Sequence, residues 1–210
     1  ETLHSLNFKL ILNNHKPGAA RLGMISEDYM TNGIQIDSYT QNGTKKEWNS
    51  ENDGTNKMMS LDTPLHPGES INLSINWHFE VSKHSGREGA ILENTFFLAY
   101  FYPRVAVYDD YMGWDTMTFF GMQEFYNDFN DYEINVSVPE DFLVWSTGDL
   151  LNPEEVLQKK YAKKLEKSMQ SDEVIRIVTP DDLAKKEITK EGTNTWKWKA
   201  SNITDVAIAV

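Results

Sequence analysis

Cysteine is absent from this 210-residue chain, which excludes disulfides and thiolate metal sites but selects no compartment. Lysine and arginine are absent from the whole stretch between Val105 and Gln158, where twelve carboxylates fall. The chain carries 32 acids and 20 bases, a net charge of −12, so without those twelve acids it would be balanced. A pI near 4.8 goes against nucleic acid as a partner, because phosphate backbones need clustered cations. No apolar run approaches the ~20 residues of a membrane span, and no signal peptide is visible. Glycine is scattered, so there is no phosphate-cradling loop, and G-x-S-x-G is missing.

What is present is ordinary globular material, 40% hydrophobic and 25% charged, in a chain long enough for a substantial core. We read it as a single β domain over 1–210. Both ends look cut, because the chain starts at Glu1 and stops within the apolar run DVAIAV (Asp205–Val210).

Strict alternation over Ile71–Val81 predicts a strand with one buried and one wet face. The HPGE turn (His66–Glu69) precedes it, and Lys57–Asp62 is its expected hairpin partner. Further strands are expected at Leu6–Leu12, Gly33–Tyr39, Phe96–Tyr100, Tyr132–Val138, Phe142–Ser146, Val174–Val178, Thr195–Ala200 and Val206–Val210. The result is an all-β, mainly antiparallel architecture of many short strands. One amphipathic helix is inserted near 153–170, with Asn152 as cap, Pro153 at the first position and apolar residues at Leu157, Tyr161, Leu165 and Met169. A second short helix starts at Thr179-Pro180.

The side chains that carry chemistry form few patterns. The five histidines (His4, His15, His66, His78 and His84) include no H-E-x-x-H or other close ligand pair. Asp109 and Asp110 are a candidate acid–base pair, but adjacent residues of an extended chain diverge, and turn-building is the simpler role. NDFND (Asn127–Asp131) lacks the spacing of an EF-hand and reads as a polar turn. Tyr100, Tyr102, Trp114 and Phe120 suit sugar stacking, or a core or interface.

The segments YPRVAVYDD (Tyr102–Asp110), Gly113-Trp114 and EFYNDFNDYEINVSVPEDFLVWSTGDLLNPEEVL (Glu124–Leu157) stand in the order of a known family. Together they resemble the amino-terminal domain of aminopeptidase-N-like zinc metallopeptidases, the gluzincins, in a bacterial peptidase branch. TPLHPGESINLSINWHF (Thr63–Phe79) and ETLHSLNFKLILN (Glu1–Asn13) extend the similarity over most of the chain. The resemblance implies a saddle-like β-sandwich that precedes a thermolysin-like catalytic domain. It places the zinc ligands, H-E-x-x-H and a later Glu, in that downstream domain, so no cofactor is expected in these residues and zinc is expected in the parent protein. The implied partners are the downstream catalytic domain and, in the parent, a peptide substrate. The segment around Tyr100–Arg104 matches the part that approaches the substrate cleft, which makes Tyr100, Tyr102, Arg104, Asp109, Asp110 and Trp114 candidate rim residues. Tyr100 stands where related sequences often have Gln. Family analogy suggests an exported or envelope protein. Two rival readings are a free-standing carbohydrate-binding β-sandwich and a structural domain of a peptidase relative that has lost its zinc motif.

Overall fold

The computed structural model describes residues 1–50, 53–83, 88–123 and 125–210, so His84 and Glu124 lie outside the described residues. The protein is mainly antiparallel β, with several small sheets and a few short helices. It divides into two compact units, Glu1–Asp128 and Phe129–Val210.

The first unit holds β1 (Leu3–Lys9), β2 (Gln35–Gln41), β3 (Thr44–Lys46), β4 (Asn56–Leu65) and β5 (Leu73–His78). After these come β6 (Gly89–Leu92), β7 (Thr95–Ala99), β8 (Arg104–Val105), β9 (Tyr108–Asp109) and β10 (Gly113–Trp114). One sheet has the order β4-β1-β8 and another β3-β2-β5, while β6-β7 and β9-β10 form hairpins. Leu6 and Phe8 of β1 and Tyr39 of β2 form one buried cluster, joined by Ile36, Trp48, Met59, Leu61, Leu73, Ile75 and Trp114. The two three-stranded sheets therefore share a core.

That shared core corrects the expected pairing of Lys57–Asp62 with Ile71–Val81. β4 pairs with β1, and β5 pairs with β2. The His66–Glu69 turn, closed by the Glu69 N–H to the His66 carbonyl at 3.0 Å, is a corner between sheets rather than a hairpin. Asn42 and Asn72 then lock the new partner, each backbone N–H donating to the other residue. The strand expected at Leu6–Leu12 is displaced by three residues, to Leu3–Lys9. The strand ends at Lys9, and Ile11–His15 forms a 3-10 turn around buried Asn13. The Asn13 amide donates to the Asp53 and Gly54 carbonyls and accepts the Ile34 N–H.

The second unit holds β11 (Asn130–Pro139), β12 (Trp145–Ser146), β13 (Asp149–Leu150), α1 (Pro153–Val156), α2 (Lys159–Ser168), α3 (Pro180–Lys185), β14 (Thr193–Ile203) and β15 (Ala207–Ala209). Its main sheet has the order β11-β14-β13, and β12 pairs with β15. The expected alternation along β14 is realised, with Trp196, Trp198 and Ala200 buried. Gly148 sits at φ +96°, where a Cβ would come within 2.3 Å of the Lys199 carbonyl oxygen. Only glycine allows β13 to approach β14 so closely.

Two expectations fail here. Val174–Val178 forms no strand, and Val174 is 96% exposed. The expected helix over 153–170 is two helices, because Leu157 is drawn into a β-bridge with Thr189 and Gln158 is extended at φ −63°, ψ 145°. The Gln158 N–H donates to the Ile188 carbonyl, so the backbone of the break is satisfied from outside the helix.

The short helix expected at Thr179-Pro180 forms with a capping box. Asp182 accepts the Thr179 hydroxyl at 2.7 Å, the Tyr161 hydroxyl at 2.8 Å and the Thr179 N–H at 3.1 Å. The Thr179 hydroxyl, followed by Tyr161, holds its carboxyl well below the usual carboxylate range. A depressed carboxylate contributes stability above its unfolded-state value and loses it as pH falls through the folded one. The urea-midpoint difference between wild type and Asp182→Asn should therefore be full at neutral pH. It should shrink progressively below about pH 4.

Candidate functional site

The site grows from a strand end. After β7, Tyr100 takes a left-handed conformation at φ 59°, unusual for a bulky residue, and turns the chain toward β8. β8 then pairs with β1, setting Arg104 opposite Lys9. Beyond the β9-β10 hairpin, Asp115–Phe119 joins no sheet and is held within the first unit largely by side chains. Asn7 donates to the Asp115 carbonyl at 2.7 Å, Lys9 to the Met117 carbonyl at 3.0 Å, and Asn56 to the Thr116 and Met117 carbonyls. The Phe119 N–H donates to the Thr55 hydroxyl at 2.8 Å.

These ties enclose a pocket of about 220 Å³ lined by Lys9, Arg104, Asp115, Met117, Phe119 and Phe125, among others. Phe119 and Phe125 stack at 4.9 Å and 20°, and the Tyr100 ring meets Phe125 at 4.2 Å. The Arg104 guanidinium lies 5.9 Å from the Phe125 centroid, within cation–π range. Lys9 and Asp115 form an ion pair at 2.8 Å, with side chains only 7% and 17% exposed. Among the described residues the pocket has aromatic walls, the Arg104 guanidinium and the Lys9–Asp115 ion pair. That combination suits a flat or apolar group with polar edges.

Comparison with protein-family models, with curated proteins and with solved structures returned no match.

The six sequence-predicted residues separate. Arg104 lines the pocket, and Tyr100 supports it through Phe125. Asp109 reaches it through the Tyr126 hydroxyl at 3.5 Å. Burial, and then the Asp109 carboxylate, hold that hydroxyl above its ordinary value. Tyr102 packs edge-on against Phe101, and Trp114 packs edge-on against Tyr108 beside the Phe8 core. Asp110 is an exposed turn residue. Asp109 builds that turn, its carboxylate accepting the Tyr111 and Met112 N–H groups. The turn-building role of Asp109 follows directly from those bonds.

Lys9, which also lines the pocket, belongs to no catalytic or ligand-binding motif of the sequence. Its signal is its place inside the apolar run LNFKLIL, where Leu6, Asn7, Phe8 and Lys9 are all buried. Among the described residues histidine forms no centre. His15 is buried against Glu88 at 3.0 Å, His78 meets Asp37 on an exposed face, and His66 contacts Thr2. Among the described residues no group of three or more His, Cys, Asp or Glu is placed to hold a metal, and no helix is long and apolar enough to cross a membrane.

Proposed function

We propose that this chain is the noncatalytic amino-terminal β domain of a zinc aminopeptidase of the aminopeptidase N family, a saddle-like β-sandwich in the intact protein. It packs on a downstream catalytic domain and shapes the rim of the peptide cleft. The ordered motifs from Glu1 to Leu157 support this reading. The observation that carries it is the convergence of Tyr100 and Arg104, from the segment resembling the cleft-approaching part, on Phe125 at one pocket. In such an enzyme the downstream domain would hold the zinc, which would supply Lewis-acid polarisation of the scissile carbonyl. The residues here orient substrate and exclude water. Asp115 is already engaged by Lys9 and Asp109 by its turn, so of the acidic residues Asp109, Asp110 and Asp115 it is Asp110 that stays available to attract a cationic substrate end.

The carbohydrate reading loses much of its basis, because three of its four rings, Tyr100, Tyr102 and Trp114, already face aromatic neighbours. The deciding experiment is to sequence the gene past Val210 and express the longer product. An H-E-x-x-H helix, bound zinc and hydrolysis of aminoacyl arylamides are expected, with the 210-residue chain inert on its own. Tyr100→Ala in the longer protein should raise KM several-fold with kcat little changed. A gene whose continuation encodes no such motif, or turnover by the 210 residues alone, would overturn the reading.

A further inference from the structure

Helix α2 (KKYAKKLEKS) has five lysines in ten residues and one carboxylate, Glu166. At the helical repeat all five fall within an arc of about 140°, away from buried Tyr161 and Ala162. Like charges four residues apart repel across successive turns and disfavour the helix that carries them. Two of the five are relieved. Lys160 and Lys164 reach Asp182 at 3.3 and 3.8 Å, and they cover the Tyr161 ring at 5.0 and 5.4 Å. Lys159, Lys163 and Lys167 are exposed and have no carboxylate partner among the described residues. A row of cations held on one face against its own repulsion is a local conflict that an anionic ligand would resolve.

We propose that this lysine row docks an acidic peptide segment of a partner protein. Spacing favours it. Lysines four residues apart repeat every ~6 Å along the axis, and alternate side chains of an extended chain repeat every ~6.6 Å. A segment with carboxylates at every second position therefore sets one against each of Lys159, Lys163 and Lys167. Charge also favours a narrow partner over a broad one. The unit Phe129–Val210 holds eleven Lys and Arg against fifteen Asp and Glu, so an extended polyanionic surface meets net repulsion. A nucleic acid strand would also lack a stacking platform, since Tyr161, the helix's aromatic, is 4% exposed. The inference is independent of the peptidase reading.

The test uses the full chain and a dye-labelled (Glu-Thr)5 peptide, followed by fluorescence anisotropy. Saturable binding that weakens with added salt is expected, and it should fall about tenfold in Lys159→Gln/Lys163→Gln/Lys167→Gln. A charge-matched control, Lys45→Gln/Lys83→Gln/Lys190→Gln, should bind like wild type. The α2 variant should melt at or above the wild-type temperature, because it removes repulsion, so lost binding is not lost fold. The proposal is overturned by an absence of saturable binding or by an equal loss in the control. It is also overturned by tighter binding to oligothymidylate or to phosphatidylserine vesicles than to the peptide.

Discussion

Phe8→Ala should destabilise the protein by about 4 kcal/mol, the range for emptying a buried aromatic site. Phe8 is 1% exposed and meets Tyr39 at 5.7 Å and Trp48 at 5.4 Å, both edge-on. Those two rings also contact each other at 5.3 Å, so the three form a closed set. Removing Phe8 leaves a cavity walled by the Tyr39 ring on β2 and the Trp48 ring just after β3, and such rigid walls collapse poorly. Phe8→Leu keeps most of the volume and should cost less than half as much. The check is a urea titration followed by far-UV circular dichroism. A lowered midpoint at unchanged slope is the expected result, and a changed slope would mean that the denatured state, not the core, had altered.

Lys9→Met should cost about 3 kcal/mol although the side chain keeps its length and most of its packing. The ammonium group is tied to the Asp115 carboxylate at 2.8 Å and to the Met117 carbonyl at 3.0 Å. Its loss leaves a largely buried carboxylate facing an apolar neighbour, and desolvation then works against the fold. The second substitution Asp115→Asn removes the stranded charge and keeps an acceptor for the Met117 N–H, which Asp115 now receives at 2.9 Å. The double variant should therefore recover more than half of the loss. Additive costs in the double-mutant cycle would show that the pair is not coupled. The same substitution should loosen the Asp115–Phe119 segment, since one of its ties starts at Lys9.

Much of the strand content was legible because period-two alternation is a local signal. Gln35–Gln41, Leu73–His78, Asn130–Pro139 and Thr193–Ile203 all lie where alternation placed them. The short helix at Pro180 was legible for the same reason, since its cap is built from Thr179 and Asp182, three residues apart. Failures came where distant groups compete for the backbone. Val174–Val178 joins no strand and leaves Val174 exposed, and the helix over 153–170 breaks where residues 188–190 offer Val156 and Gln158 better partners. Of the candidate site, Tyr100 and Arg104 were accessible through their segment. Lys9 was not, because its role depends on Asp115 and Met117, more than a hundred residues away.

Charge placement, short-strand architecture, turn positions and helix starts are written in runs of a few residues, where covalent spacing alone decides which groups can meet. Strand partners, the corner at His66–Glu69 and the pocket between Lys9 and Phe125 were settled in three dimensions. Each depends on which distant surfaces bury the most apolar area while every enclosed polar group still finds a partner. That is a property of the assembled chain, and no window of its sequence contains it.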